Sequence, residues 1–256
     1  MAIIIKTPKE IEILREGGKR LATVLYKVKE IVKPGISTKD LDSYAFKLIK
    51  DMDDEPAFLN YKPEGADFAY PASLCVSVNN EVVHGIPSAD RILKEGDIVS
   101  IDLGLKHNGL FTDMALTVPV GEVSAASAKL IRTTEQALDV GINAAMGGNR
   151  IGDIGSAIEH FVRPHRYGIV EVLSGHGVGK AIHEDPYVPN FGKANTGAKL
   201  VRGMVIAIEP MLNNGTKNVV LDKDGYTFRT ADGKKSAHFE HTILITDGEP
   251  EILTRL

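Results

Sequence analysis

The chain of 256 residues has no tryptophan and a single cysteine, Cys75. One thiol cannot close an intramolecular disulfide, so the fold is not covalently stapled, and a reducing cytoplasm is the expected location. Neither charge sign is in large excess: 30 basic against 34 acidic residues give a net charge of −4. That removes the electrostatic case for nucleic acid or an anionic membrane as partner. Long apolar runs are missing too. The opening MAIIIKTPKE holds only three consecutive isoleucines before charge returns, which suits neither a signal peptide nor a membrane span. Low-complexity segments, long charge blocks and linkers are lacking, so one domain over residues 1–256 is expected. The composition that remains, 43% hydrophobic and 25% charged, suffices for a sizeable core.

Periodicity supplies the elements. Thr7-Pro8-Lys9-Glu10 reads as a capped helix start, and Ile11, Leu14, Leu21, Leu25, Val28 and Val32 recur at helical spacing until Pro34-Gly35. A second helix begins at Ser37 or Thr38. Residues 51–70 read as loop with a short strand near Phe58–Tyr61, and Ser73–Val78 and Glu81–His84 as a strand pair about Asn79-Asn80. Later come helices over Ser124–Met146 and Ile151–Val162, and strand-like runs at Ile169–Leu173, Met204–Glu209 and His238–Thr246.

The stretch Gly96–Val118 reads as a β-hairpin, with the apolar runs Ile98–Leu103 and Leu110–Val118 flanking the turn Lys106-His107-Asn108-Gly109. Asp102 and Asp113 sit inside those runs. Aspartate is depleted in strands and is rarely buried unless paired or bound to metal. The pattern then repeats. PGISTKDLDSYAFKLI (Pro34–Ile49) lies over GGNRIGDIGSAIEHFV (Gly147–Val162); GDIVSID (Gly96–Asp102) over GMVIAIE (Gly203–Glu209); TDMALTV (Thr112–Val118) over FEHTILI (Phe239–Ile245). Asp102 falls on Glu209, Asp113 on Glu240, and His84-Gly85 has a counterpart in His176-Gly177. Matches in the same chain order argue for an internal pseudo-repeat, residues 1–120 and 121–256. Two such halves about a pseudo-two-fold axis would bring four carboxylates and at least one histidine together. Four carboxylates cannot all ionise there without about two divalent cations. A mixed carboxylate and imidazole set suits Mn, Fe, Co or Zn. Two such ions, roughly 3.5–4 Å apart, would hold a bridging hydroxide for hydrolysis of an amide, ester or phosphate.

These residues resemble the type I methionine aminopeptidases of the bacterial type. The strings that carry the resemblance are EVVHGIP (Glu81–Pro87), IDLG (Ile101–Gly104), TDMALT (Thr112–Thr117), GHGVG (Gly175–Gly179), HEDP (His183–Pro186), IEPM (Ile208–Met211) and FEHTI (Phe239–Ile243), and the likeness spans essentially the whole chain. The resemblance implies an α+β pita-bread fold: two pseudo-symmetric halves, a central antiparallel sheet and outer helices. It implies removal of the initiator methionine from nascent polypeptides whose second residue is small and uncharged. Asp102 would bind one metal, His176 and Glu209 the other, with Asp113 and Glu240 bridging. Glu209 would shuttle the proton of the attacking water. His183 would hydrogen-bond the scissile peptide or the tetrahedral intermediate, and His84 the amide nitrogen or leaving amine. The substrate's free α-amine would join the Asp102 metal, restricting cleavage to N-termini. Tyr70, Cys75 and Tyr226 match pocket positions for the methionine side chain. Ile182 and Asp67 depart from the pattern, where aromatics are common, and point to a wider or more polar rim. Asn79 and Ser236 match positions for one monovalent cation. His107, His160, His165, His238 and His241 are read as structural or surface residues.

Prolidases, Pro-specific aminopeptidases and creatinase share the fold but usually carry an extra N-terminal domain, and the type II enzymes carry an insertion between the last two carboxylates. No zinc-finger-like extension precedes the catalytic pattern, so no ribosome-docking module is expected, and a monomer is. A non-catalytic binding protein on the same fold would lose ligands, and all five are present.

Overall fold

In the computed structural model, which describes residues 2–63 and 65–256, four helices lie against antiparallel sheets. Helix α1 (Pro8–Glu30) starts with the expected capping box: Thr7 accepts from the Glu10 backbone while the Glu10 carboxylate accepts from that of Thr7. Helix α2 (Thr38–Asp51) repeats the device with Ser37 and Asp40. Helices α3 (Ala125–Ala144) and α4 (Ile151–Val162) pack on each other in the second half of the chain. Among the described residues, no helix is long and apolar enough to cross a membrane.

The largest sheet has nine strands. Its main path runs Glu55–Pro56, Ile98–His107, Leu110–Pro119, Glu240–Leu244, Val205–Ile208, Gly175–Gly177, Glu184–Val188; Cys75–Val78 adds to Ile98–His107 and Glu251–Ile252 to Glu240–Leu244. The long hairpin Ile98–Pro119 is its spine, in register from Ile98↔Pro119 to His107↔Leu110. Strand alternation divides its side chains. Val99, Ile101, Leu103, Leu105, Met114, Leu116 and Val118 enter the main core with Leu21, Leu25 and Val28 of α1 and with Leu130 and Leu138 of α3. Ser100, Asp102, Gly104, Asp113, Ala115 and Thr117 therefore face the other way. Two three-stranded sheets lie toward that side: Gly168–Ile169, Met211–Asn213 and Ser236–His238; and Glu81–Val83, Phe228–Thr230 and Val219–Leu221.

Four expected strand assignments need correction. Residues 58–61 form a turn, because Asn60 takes a left-handed backbone (φ 64°) and Tyr61 N–H bonds back to the Phe58 carbonyl; the strand here is Glu55–Pro56. Cys75–Val78 and Glu81–Val83 are strands joined at Asn79-Asn80, but each pairs elsewhere, with Ile98–His107 and Phe228–Thr230. Asn79 (φ 58°) bonds through its side chain to Asp97 and to the Ile98 N–H, which turns the chain away from a simple hairpin. The run at Ile169–Leu173 shortens to Gly168–Ile169, since its partner strand is three residues long. The run His238–Thr246 divides at Phe239, whose N–H reaches the Pro210 carbonyl; Ser236–His238 and Glu240–Leu244 belong to different sheets.

Helix α1 contains Gly17-Gly18, which propensity alone disfavours by about 1 kcal/mol per residue. Packing explains them. A Cβ on Gly18 would stand 2.4 Å from the Leu253 carbonyl oxygen, and one on Gly17 would stand 3.1 Å from His107 Cβ. We expect Gly18→Ala to destabilise the fold by about 1–3 kcal/mol through overpacking. Urea unfolding checks this. A gain of about 1 kcal/mol, the helix-propensity value, would contradict the close approach.

Candidate active site

The register of the large sheet gathers the carboxylates. Cys75 lies opposite Asp102, Asp102 opposite Ala115, and Ala115 opposite Glu240. Asp102 and Glu240 thus flank Ala115, and Asp113, two residues before Ala115, shares its face. Glu209 follows directly on Val205–Ile208, where Ile208 is opposite His241. His176 comes from the next strand. Its Nε2 stands 3.5 Å from Glu209 Oε1, 3.8 Å from Asp113 Oδ2 and 3.9 Å from Glu240 Oε1. Its Nδ1 lies 2.9 Å from the Gly177 carbonyl, so Nδ1 carries the proton and Nε2 presents a lone pair to the carboxylates.

Nothing basic among the described residues pairs with this cluster except histidine. Asp102 Oδ1 and Glu240 Oε1 are buried without a hydrogen-bond partner. Burial pushes the Asp102 carboxyl up to about 7. Burial, then the charges of Asp102 and Glu209, raises Asp113 well above the usual range. Burial, then Asp113, Glu209 and Asp102, does the same to Glu240, and burial with Asp102 raises Glu209. The histidines move the opposite way. Burial, then the charge on His183, lowers His176 to about 3 and His84 to about 4, and burial takes His183 to about 4. Neutral imidazoles and crowded carboxylates are the state a cation would reverse. Donor atoms fall into three groups, each within 4.8 Å: Asp102, Asp113 and Glu240; His176, Glu209 and Glu240; Asp113, His176 and His183. The residues therefore fit divalent cations, and an oxygen-rich set with imidazole suits Mn, Fe, Co or Zn.

The same cavity has an apolar wall made by Phe58, Tyr61, Pro63, Tyr70, Cys75 and Tyr226. Tyr70 donates to the Gly85 carbonyl at 2.9 Å and Tyr226 donates to the Phe68 carbonyl, so both phenols are spoken for and their rings face the cavity. The Tyr70 and Tyr226 rings meet edge-to-face at 5.1 Å, and Phe68 packs on Tyr226 at 5.2 Å. Burial pushes the Cys75 thiol well up, which keeps it a neutral, small, polarisable wall element. His84, at a left-handed φ of 59°, and His183 line the polar side. His183 Nδ1 sits 2.9 Å from the Tyr61 hydroxyl.

All the residues singled out in the sequence as catalytic, metal-ligating or pocket-forming line this one cavity. Phe58, Tyr61 and Pro63 line it too and were not anticipated. They belong to a segment read as strand and loop, in which only their bulk was a signal. Ile182 is buried behind the wall, where it and Phe58 crowd Gly104. Asp67 is exposed and outside the lining. Asn79 and Ser236 do meet, through Ser236 N–H and the Asn79 carbonyl, but their side-chain oxygens already bond to Ile98 N–H and the Leu212 carbonyl. His107 pairs with Asp54 at 2.7 Å and His241 with Thr254 at 2.9 Å, as structural residues do. His238 departs from its expected role: it is buried beside Glu209 and Glu240. Its i, i+2 spacing from Glu240 was the available sign.

Comparison with known proteins agrees with this geometry. The model for metallopeptidase family M24 matches residues 12–247. The chain is 46% identical to a methionine aminopeptidase of Aquifex aeolicus, over all of both chains, and 46% identical to methionine aminopeptidase 1 of Bacillus subtilis, over 99% of this chain and all of that one. A crystal structure of methionine aminopeptidase from Thermotoga maritima superposes with a TM-score of 0.96 at 42% identity, covering all of both chains.

The charge balance generates a pH dependence. Burial raises Asp102 to about 7 and raises the other three carboxyls as well, whereas it lowers His176 to about 3; a divalent ion is therefore expected to displace protons from carboxylates. Metal uptake at pH 7 is expected to release protons. Apparent affinity should strengthen as pH rises toward and past about 7, where Asp102 gives up its proton. Calorimetric titration of metal-free protein in two buffers of different ionisation enthalpy measures the release, and heats independent of buffer would contradict it.

Proposed function

This chain belongs to metallopeptidase family M24, among its type I methionine aminopeptidases, and we propose that it removes the initiator methionine from nascent polypeptides whose second residue is small and uncharged. Its architecture is accordingly the pita-bread fold of that group. The observation that carries the reading is a crowd of four carboxylates, Asp102, Asp113 and Glu240 buried and Glu209 half-buried, with no lysine or arginine partner among the described residues and with the His176 imidazole among them, across a cavity from an aromatic wall. Asp102, Asp113, His176, Glu209 and Glu240 would hold two divalent ions. Two such ions supply Lewis acidity and an activated water at neutral pH.

The chain's own groups do the rest. Glu209 has a carboxyl raised by burial and by Asp102, which suits a group that takes up a proton and returns it. Tyr61 keeps its phenolic proton, since burial raises its pKa, and donates a hydrogen bond to His183 Nδ1; the neutral imidazole then carries its own proton on Nε2. That N–H stabilises the oxygen that develops charge at the scissile carbonyl. His84, also neutral, accompanies the amide nitrogen. Phe58, Tyr61, Tyr70 and Tyr226 offer ring faces and edges, and Cys75 a small gap, to an unbranched thioether chain, which favours sulfur–aromatic contact. The substrate class, the N-termini of new chains, puts the reaction in the cytoplasm. The matching carboxylate positions support one catalytic domain built from a pseudo-repeat.

The test is hydrolysis of Met-Ala-Ser against Leu-Ala-Ser and Lys-Pro peptides, metal-free and with Mn(II) or Co(II), for wild type and Asp113→Ala. Metal-dependent release of methionine alone is expected, with Asp113→Ala reduced on the order of 10³-fold or more. Comparable cleavage of Leu-Ala-Ser would refute the specificity, and no cleavage by folded, metal-loaded protein would refute the reaction. His183→Ala should lower kcat/KM on the order of 10²-fold. Tyr61→Phe should cost roughly tenfold, the value of one hydrogen bond. Unchanged kcat/KM in both would remove His183 from the mechanism.

A further inference from the structure

His238 lies 1% exposed at the end of the strand Ser236–His238, opposite Met211. Its backbone is held on both sides by one side chain: His238 N–H donates to Thr117 Oγ1 at 2.9 Å, and the Thr117 hydroxyl donates to the His238 carbonyl at 2.8 Å. Ser100 Oγ lies 2.8 Å from Thr117 Oγ1 and completes the clamp. The ring is therefore placed by the spine of the sheet. Yet Nδ1 and Nε2 both lack a hydrogen-bond partner. A buried imidazole with neither nitrogen satisfied is uncommon in native proteins and costs free energy.

The groups it faces give the reason. His238 Nε2 stands 3.6 Å from Glu209 Oε2 and 4.0 Å from Glu240 Oε2. His176 Nε2 stands 3.5 Å and 3.9 Å from the Oε1 atoms of the same two residues. Two imidazoles thus bracket one pair of carboxylates, each addressing a different oxygen of each. They are not equivalent. His176 belongs to a group of donor atoms that all lie within 4.8 Å of one another, and His238 belongs to none of the three such groups. Its distances are also too long for a hydrogen bond as they stand, but a shift of under about 1 Å by the Glu209 side chain would make one.

We propose that His238 is a positioning residue of the metal centre, donating Nε2–H to Glu209 Oε2 so that Oε1 stays turned toward His176 and the ion. The proposal rests on the reading of Glu209 and His176 as metal ligands. A carboxylate ligand left free to rotate would present either oxygen, or both, to the ion. One held from behind presents a fixed one, and outer partners of this kind set ligand orientation and metal affinity. His238 acts through Glu209 and does not touch substrate.

Titration of metal-free protein with Mn(II) by calorimetry, and with Co(II) by visible absorption, tests this on wild type, His238→Leu, His238→Gln and His238→Asn. The Gln amide reaches the place of Nε2, and the Asn amide only that of Nδ1. For His238→Leu and His238→Asn, one of two ions should bind roughly 10–100-fold more weakly, because Glu209 loses the group that orients it, with the other within about threefold. The Co(II) absorption of the weakened site should shift. His238→Gln should return within about threefold of wild type. Wild-type affinity and spectrum in His238→Leu and His238→Asn would overturn the proposal. So would complete loss of one ion in all three variants, which would make His238 a direct ligand. If His238→Leu fails to fold, the Gln and Asn pair decides by itself. Wild-type protein that takes up no divalent ion would instead bring down the underlying metal-centre reading, and Asp113→Asn, expected to weaken both ions, shows the assay can detect loss of a ligand.

Discussion

Repulsion among four carboxylates at one place on a sheet is the constraint on which the rest of this molecule depends. Asp102, Asp113, Glu209 and Glu240 are withdrawn from water, and among the described residues no lysine or arginine meets them. Burial of unpaired like charges is among the most expensive arrangements a fold can contain. It persists because the surrounding frame is over-determined. The hairpin Ile98–Pro119 is paired through its whole length, its opposite face is locked into the helical core, and Thr242 binds the Asp113 backbone at both its N–H and its carbonyl. The cluster is thus held in place by everything except itself, which leaves its interaction energy available for a ligand.

The polar half of the cavity is placed by strands and the apolar half largely by loops. Carboxylates and His176 sit on, or one residue beyond, strands whose register fixes their separations. Tyr61, Pro63 and Phe68 belong to the connection between α2 and the strand Cys75–Val78, where the phenol of Tyr61 meets His183, its backbone bonds to Phe58 and Tyr70, and the carbonyl of Phe68 accepts from Tyr226. Chemistry that needs fixed charge geometry is on the rigid part. The residues proposed to receive the substrate side chain lie largely on the connecting segments.

Much of this was legible in the residues because it rests on spacing. Asp102 and Asp113 interrupt apolar runs, and an interruption of that kind states its own cost. The duplicated strings around Glu209 and Glu240 extended the same reasoning to the second half. Helix starts at Thr7 and Ser37 were readable because capping is local chemistry. What escaped depended on partners far away in sequence. The partner of Cys75–Val78 is Ile98–His107, not the neighbouring Glu81–Val83, and nothing in either string says so. His238 opens the run His238–Thr246, where its spacing from Glu240 is the one hint in the string; that the chain breaks at Phe239 and brings the ring to the cluster from another sheet is not written there. Tyr61 was hidden by a left-handed turn at Asn60 inside a segment with strand-like composition.

The bond between Thr242 and Asp113 joins residues 129 positions apart in the chain. During synthesis at ~5–20 residues per second, the hairpin that carries Asp102 and Asp113 waits roughly 6–26 s for the strand that covers it. In that interval Leu110–Pro119 is a ten-residue edge with unpaired backbone groups, of the sort that recruits strands from other chains. The two aspartates midway along the hairpin then act as gatekeepers, since a second copy docking there would oppose charge to charge. The residues proposed to hold a cation in the finished molecule thereby guard the unfinished one against pairing with its own kind.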